Sequence, residues 1–184
     1  MELKIGNLRA FLQEAGERCV VMCPPHPLMG GSSADFRLKR IADELQRNEI
    51  SSLRMDYRED FSGGKGEIED MRKVVEFAKK KFSELAVLGY SFGAVVASHS
   101  DVPQILVSPL VRIDEISLRV DGDEDKYVVF GLRDEFINGE ELERVLRAGR
   151  NVRRIVKLDT DHFYTGALEE LVETVLSFTQ EIFS

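Results

Sequence analysis

The sequence lacks the features that mark membrane-spanning and exported proteins. No stretch approaches the roughly 18 consecutive apolar residues that a membrane-spanning helix needs. The first six residues have neither the apolar segment nor the cleavage site of a signal peptide. We therefore expect a cytoplasmic protein without membrane attachment.

Basic residues are fewer than acidic ones. The chain carries 25 Lys and Arg against 33 Asp and Glu, a formal net charge of −8. An acidic protein is repelled by phosphate backbones and anionic lipid surfaces. We expect neither nucleic acid nor membrane among its partners.

Cysteine is scarce, with only Cys19 and Cys23 in the chain. Four residues of extended strand span roughly 13 Å, which is too far for a disulfide within one strand. Their C-x-x-x-C spacing is also poor for zinc, and no cluster of Cys and His residues lies nearby in the sequence. Two small buried apolar residues are the expected outcome, with no metal.

The sequence lacks the phosphate-binding loops of nucleotide enzymes. The glycines of Gly63-Gly-Lys-Gly66 have neither the spacing nor the Lys-Ser/Thr ending of a P-loop. No G-x-G-x-x-G opens a helix after a strand, so no cofactor is expected.

What is present is an alternation of short apolar runs with amphipathic segments over residues 1–184, which predicts one domain. A hairpin is expected around Gly6-Asn7, and Ser32 followed by Asp35 favours a helix start. The fold class is α/β: a three-layer, doubly wound, mostly parallel sheet with an N-terminal antiparallel hairpin. About twenty residues separate Val107 from Tyr127, too few for a lid domain. The predicted strands are Leu3–Ile5, Leu8–Leu12, Cys19–Cys23, Ile50–Tyr57, Leu85–Leu88, Gln104–Val107, Tyr127–Phe130 and Val152–Leu158. The predicted helices are one carrying Leu38, Ile41, Ala42 and Leu45 on one face, then Glu67–Phe82, Phe92–Ala97, Gly139–Ala148 and Gly166–Phe183.

One strand-to-helix junction carries the pentapeptide Gly89-Tyr-Ser-Phe-Gly93, a G-x-S-x-G motif. Glycines on both sides suit a strand that turns at once into a helix and leaves no room for side chains. The motif favours a strained turn that holds the hydroxyl of Ser91 above the sheet edge. The alternative is an ordinary Gly-Ser turn.

Two further polar residues also follow predicted strands. Asp134 comes after the Tyr127 strand and His162 after the Val152 strand. Ligands bind at the carboxyl ends of such strands, and Ser, Asp, His is the order of nucleophile-elbow hydrolases. His162 is the candidate base, and Asp134 would fix its tautomer, with Glu135 and Asp161 as rival acids.

An oxyanion hole needs two N–H donors. One is expected from Phe92 and the second from Leu28, because Pro27 has no N–H; Met29 is the next choice. His26, Met29 and Tyr90 are candidate substrate-binding residues, with His26 shaping its loop. His99 is expected to be structural.

The chain resembles small α/β-hydrolases of the dienelactone-hydrolase-like or serine aminopeptidase S33-like kind over nearly its whole length. The matching segments are Cys23–Gly31, Arg54–Arg58 with Gly63, Gly64, Gly66 and Glu67, Gly89–Gly93, Gly131–Asp134 and Asp161–Phe163. In one loop the sequence departs from the pattern, where Glu59-Asp60-Phe61 follows Arg58 in place of glycine. The resemblance implies a lidless serine hydrolase, without cofactor, that cleaves a small acyl ester or thioester through an acyl-enzyme on Ser91.

Three questions stay open at this stage. Esterases, thioesterases and small peptidases share this triad, and acyl transfer to an alcohol is a further alternative. A non-catalytic member of the fold could bind a ligand or act as a scaffold. The oligomeric state is not encoded in any pattern we find. Because no lid is expected, we predict a shallow and open site.

Overall fold

Eight strands form one central sheet in the computed structural model, which describes all residues from Met1 to Ser184. The strands, numbered along the chain, are β1 (Glu2–Ile5), β2 (Leu8–Gln13), β3 (Arg18–Cys23), β4 (Ser51–Met55), β5 (Glu84–Tyr90), β6 (Gln104–Val107), β9 (Lys126–Gly131) and β10 (Val152–Leu158); β7 and β8 form a separate small hairpin described below. Their order across the sheet is β1-β2-β4-β3-β5-β6-β9-β10. The first hairpin is antiparallel, β2 pairs antiparallel with β4, and every other pairing is parallel.

Helices cover both faces of the sheet and bury two separate apolar cores. The helices are α1 (Phe36–Arg47), α2 (Lys65–Lys81), α3 (Phe92–Ala97), α4 (Gly139–Arg147) and α5 (Leu168–Ile182). Apolar faces of α2, α3 and α4 pack into one core of 28 buried residues, and those of α1 and α5 into another of 20. Alternate side chains of each buried strand enter opposite cores, as a two-residue period requires. The predicted three-layer, mostly parallel α/β fold with an N-terminal hairpin is confirmed.

Three helix starts differ from the sequence prediction. Helix α5 begins at Leu168 and not at the predicted Gly166, and the other two are α1 and α2. Ser32 does not cap α1; the carboxylate of Asp35 accepts the N–H groups of Arg37 and Leu38 instead. Helix α2 begins two residues before the predicted Glu67, because the Glu67 carboxylate reaches back to the N–H of Gly64 at 2.8 Å. In both helices a carboxylate satisfies N–H groups that lack helical partners.

The segment between β6 and β9 forms a small hairpin that the sequence analysis did not predict. It comprises β7 (Arg112–Ile113) and β8 (Ile116–Ser117), which pair only with each other. Its tip contacts the neighbouring loop, where the N–H of Glu115 donates to the carbonyl of Gly63 at 3.0 Å. A side chain at Gly64 would lie within 2.7 Å of Ile116, so glycine is required for this approach. The hairpin stays beside the sheet edge, and no lid covers that edge.

Both cysteines lie in β3 as free, buried thiols, as the sequence predicted. Burial disfavours the thiolate and raises the pKa of each thiol above its ordinary value. None of the helices combines the length and apolarity needed to cross a bilayer.

Candidate active site

The three predicted triad residues meet at the carboxyl edge of four neighbouring parallel strands. Ser91 directly follows β5, Asp134 follows β9, and His162 follows β10. These strands lie in the order β5-β6-β9-β10, so their carboxyl ends converge on one side of the sheet. Residues up to 71 positions apart in the chain therefore come within hydrogen-bond distance.

Ser91 sits at the apex of the strand-to-helix turn in a strained conformation. Its backbone angles are φ 59° and ψ −118°, a region that non-glycine residues rarely occupy. A Cβ atom on Gly89 would clash with the backbone of Gly93, and one on Gly93 with the carbonyl of Cys23. The two motif glycines thus allow β3, β5 and α3 to approach closely enough to make the turn.

A continuous hydrogen-bonded array joins the three side chains. His162 Nδ1 lies 2.6 Å from Asp134 Oδ2, and His162 Nε2 lies 2.8 Å from Ser91 Oγ. An ionised carboxylate can only accept, so Nδ1–H donates to Asp134 and Nε2 accepts the hydroxyl proton of Ser91. This is the tautomer in which a histidine can deprotonate a serine.

The structure distinguishes Asp134 from its two acidic rivals. Asp134 is buried, and its second oxygen accepts the N–H of Phe136 at 2.9 Å, which fixes the carboxylate. Glu135 points to solvent. The carboxylate of Asp161 accepts N–H and O–H groups of Thr165, and these bonds lower its pKa. Asp161 therefore orders the histidine loop without touching the imidazole of His162.

Tyr90 does not line the substrate site, and that prediction is wrong. Its side chain is 2% exposed, and its ring stacks on the imidazole of His162 with centroids 5.7 Å apart. The hydroxyl donates to the backbone carbonyl of His162 at 2.7 Å. Tyr90 thus anchors the histidine loop, and the guanidinium of Arg37 lies 4.7 Å from the centre of the Tyr90 ring.

The N–H of Phe92 has no acceptor within the chain, as expected for the first residue of a helix that follows the serine. The second predicted donor, the N–H of Leu28, is not free. The N–H of Leu28 donates to Nδ1 of His26 at 3.2 Å, and that of Met29 to the carbonyl of His26 at 3.0 Å. Leu28 is therefore not a free donor in this structure, and its prediction as the second oxyanion donor is corrected.

His26 organises its loop through both ring nitrogens. While Nδ1 accepts from Leu28, Nε2 lies 2.7 Å from the carboxylate of Asp114 in the tip of the β7–β8 hairpin. The ring also packs on those of Phe61 and Phe92, with centroids 4.8 and 4.7 Å away. The side chain of His26 thus has a structural role in the loop. His99 has a structural contact as well, because its Nε2 lies 2.8 Å from the carbonyl of Ser117.

The site is open to solvent. Ser91 is partly exposed, and none of the five main surface cavities is lined by Ser91 or His162. The largest, about 1010 Å³, lies between the first hairpin and α2, near Arg58 and Lys73. Its size does not make it the reactive site, because it contains no nucleophile paired with a base. No three His, Cys, Asp or Glu side chains cluster so as to hold a metal.

Solved structures share this arrangement of strands and helices. A serine hydrolase without lid from Xanthomonas campestris, XC6422, superposes with a TM-score of 0.83 at 22% identity, covering 98% of this chain and 94% of its own. An α/β serine hydrolase homologue from Coxiella burnetii gives 0.81 at 22% identity, covering 94% and 93%. This is the lidless α/β-hydrolase fold.

Est1E from Butyrivibrio proteoclasticus, solved with bound ferulic acid, has the same fold. It superposes with a TM-score of 0.81 at 15% identity, covering 100% of this chain and 99% of its own. No family model matches the sequence, and no curated protein is significantly similar to it. The α/β-hydrolase fold is thus recognised from shape and from a few short motifs.

Two contacts of the site escaped the sequence analysis. Asp114 had no local signal, since its partner His26 lies 88 residues away. The inward orientation of Tyr90, in contrast, left a signal in the sequence. Every second residue of β5 (Ala86, Leu88 and Tyr90) enters the core beneath α1 and α5.

Proposed function

We propose that the protein is a serine hydrolase that cleaves small carboxylic esters. The observation that carries this proposal is the array in which Asp134 orients His162 and His162 accepts from the strained Ser91. A serine hydroxyl is a weak nucleophile at neutral pH unless a positioned base takes its proton. The names of related folds, Est1E and the Pyrococcus furiosus esterase Pf2001, support ester as the substrate class.

The reaction runs in two halves. Ser91 Oγ attacks the ester carbonyl carbon while its proton moves to His162 Nε2, which gives a tetrahedral oxyanion. The bond to the alcohol oxygen then breaks, and Nε2 returns the proton to that oxygen as the alcohol leaves. A water molecule next attacks the acyl-enzyme, Nε2 again takes and returns one proton, and the carboxylic acid departs. Asp134 stabilises the imidazolium in each half.

The oxyanion forms near the start of α3. The N–H of Phe92 is the first donor we propose, because it is unpaired and follows the nucleophile. His26 is the second, through its backbone. It follows two prolines that cannot donate, its own N–H has no acceptor within the chain, and its ring packs on that of Phe92.

A fluorophosphonate probe tests the nucleophile directly. We expect labelling of the unmodified protein and none of Ser91→Ala. Ser117→Ala is a matched control, because Ser117 is an exposed serine whose hydroxyl makes no hydrogen bond within the chain. Hydrolysis of ethyl acetate should follow the same pattern. Labelling that persists in Ser91→Ala would assign the nucleophile to another residue. Absence of labelling in all three folded proteins would instead favour a non-catalytic binding protein.

A further inference from the structure

Exposed apolar side chains are concentrated at the carboxyl edge of the sheet. Seven large apolar residues are exposed, and apart from Met1 all come from loops at that edge or from the first turn of α1. They are Leu28, Met29, Phe36, Leu132, Phe136 and Phe163. Such clustering marks a surface that contacts something apolar.

Two of these residues lie directly against the proposed catalytic base. The ring of Phe136 is 4.8 Å from the imidazole of His162, that of Phe163 is 5.4 Å from it, and the two phenyl rings are 5.8 Å apart. Their exposed fractions are 56% and 45%. The imidazole is therefore one member of a three-ring cluster that is open on its outer side.

The chemistry of the leaving group places part of the substrate beside this cluster. When the tetrahedral intermediate collapses, the alcohol oxygen must take a proton from His162 Nε2, so it lies within hydrogen-bond distance of that nitrogen. The first carbons of the alcohol are then within a few ångströms of the imidazole. Tyr90 stacks on the ring but is buried, whereas Phe136 and Phe163 are accessible. Phe136 and Phe163 are therefore the exposed aromatic rings beside which the alcohol chain begins.

We propose that Phe136 and Phe163 form a binding surface for the apolar alcohol moiety of the ester, so that the enzyme selects its substrate by the leaving group. This inference rests on the proposed esterase function and specifies its substrate class.

Two charged groups beside Phe163 are already paired, which favours a neutral and apolar alcohol there. The guanidinium of Arg37, which lies 5.9 Å from the ring of Phe163, is paired with Asp35. The carboxylate of Asp161 accepts hydrogen bonds from the N–H groups of Phe163 and Thr165. Neither is left to pair with a charged alcohol, and burying a charge without a partner is unfavourable.

Isomeric esters test the proposal. Hexyl acetate and ethyl hexanoate have the same atoms and nearly the same hydrophobicity, but the six-carbon chain lies on the alcohol side in one and on the acyl side in the other. Ethyl acetate is the reference. A fully buried methylene is worth about fourfold in binding, and one lying on an open surface about twofold. Four added methylenes on the alcohol should then raise kcat/KM by about fifteenfold.

The kinetic constants should separate in a defined way. Hexyl acetate and ethyl acetate give the same acetyl-enzyme, so the deacylation rate is identical. The preference must appear in kcat/KM, which reports acylation, and a kcat limited by deacylation should not change. Ethyl hexanoate should show the smaller gain in kcat/KM.

Variants assign the preference to residues. Phe136→Ser and Phe163→Ser should each reduce the ratio of kcat/KM for hexyl acetate over ethyl acetate from about fifteenfold to about threefold. Phe136→Leu should keep most of it. Leu132→Ser is the control, since Leu132 is 61% exposed in the same loop but lines a cavity to which His162, Phe136 and Phe163 do not contribute; its ratio should not change.

The outcomes separate this inference from the proposed function. If ethyl acetate is hydrolysed and the hexyl preference is absent, equal for both isomers, or unchanged in Phe136→Ser and Phe163→Ser, the alcohol surface is refuted while the esterase stands. If the folded protein hydrolyses no ester and takes no fluorophosphonate, the esterase itself is refuted. A hexyl preference lost only in the two phenylalanine variants confirms the surface.

Discussion

His26 Nε2 lies 2.7 Å from Asp114 Oδ2, although the two residues are 88 positions apart in the chain. Because the carboxylate accepts the Nε2 proton, Nδ1 is left free to accept the N–H of Leu28. The molecule thus contains two His–Asp pairs at one edge. One orients the proposed base, and the other fixes the loop that carries a proposed oxyanion donor.

We predict that Asp114→Ala lowers the free energy of unfolding by about 1 kcal/mol, since the lost contact is partly exposed. The loop of His26 should also become less ordered, so kcat/KM for ethyl acetate should fall severalfold. Urea unfolding and initial rates measure the two effects. Asp121→Ala provides the comparison, because Asp121 is 87% exposed and its contact with Arg119 is long, at 3.5 Å. Equal effects in the two variants would contradict the role of Asp114.

Replacing the buried Asp134 should greatly reduce kcat without unfolding the protein. Asp134→Asn presents an amide to His162 and favours the wrong tautomer, which in serine proteases reduces kcat by about 10⁴-fold. We expect a loss on the order of 10³–10⁴-fold in ester hydrolysis. Glu135→Gln, the neighbouring exposed acid, should change the rate less than about twofold. A large loss in Glu135→Gln with a small one in Asp134→Asn would reverse the assignment.

Tyr90→Phe removes a buried hydrogen bond and leaves the carbonyl of His162 without its partner. Such a loss costs about 1–3 kcal/mol, so the urea midpoint should fall accordingly. Ester hydrolysis should weaken as well, because the loop that carries the imidazole is no longer anchored. Tyr127→Phe is the matched control: Tyr127 is 6% exposed, and its hydroxyl makes no hydrogen bond within the chain. A midpoint that moves equally in both variants would show that the anchor is unimportant.

Stability should decline at alkaline pH. Burial raises the pKa values of Tyr57, Tyr90 and Tyr164 above the ordinary value of about 10. The contribution of these phenols to the free energy of unfolding is complete below about pH 10. It is lost as the pH rises above that value, because the unfolded chain then releases protons that the folded chain retains. The thiols of Cys19 and Cys23 act in the same direction from about pH 8.5.

Urea midpoints between pH 8 and pH 11 measure this decline. The variant Cys19→Ala Cys23→Ala should remove the part that begins near pH 8.5 and leave the part that begins near pH 10. A midpoint that is constant or rises over this range would show that the phenols ionise freely in the folded protein.

The sheet, the helices and the three residues at the carboxyl edge of the sheet could be predicted, because each leaves a recognisable pattern in the sequence. Buried strands are short apolar runs, helices carry apolar stripes, and Ser91, Asp134 and His162 each follow a strand. The sequence did not predict the β7–β8 hairpin, whose strands of two residues are too short to show a period. Nor could it reveal the contact of His26 with Asp114, which depends on where the hairpin tip lies in space.

Leu28 shows how a local signal was misread. Proline at position 27, between His26 and Leu28, is typical of the first residue of a helix. A residue before such a proline often caps the helix and accepts the N–H two positions later, as His26 does for Leu28. The rule that proline cannot donate led to Leu28 as the next donor, but that rule says nothing of where the N–H is directed.

The contact between the β7–β8 hairpin and the glycines of the neighbouring loop bears on loop engineering. Gly63 and Gly64 fit against Glu115 and Ile116 with no space for larger residues, so the two segments form a matched pair. Grafting either one alone from another protein of this fold would bring foreign side chains into that contact. Chimeras that exchange residues 57–66 and 108–117 together should retain the surroundings of Ser91, whereas single grafts should disturb them.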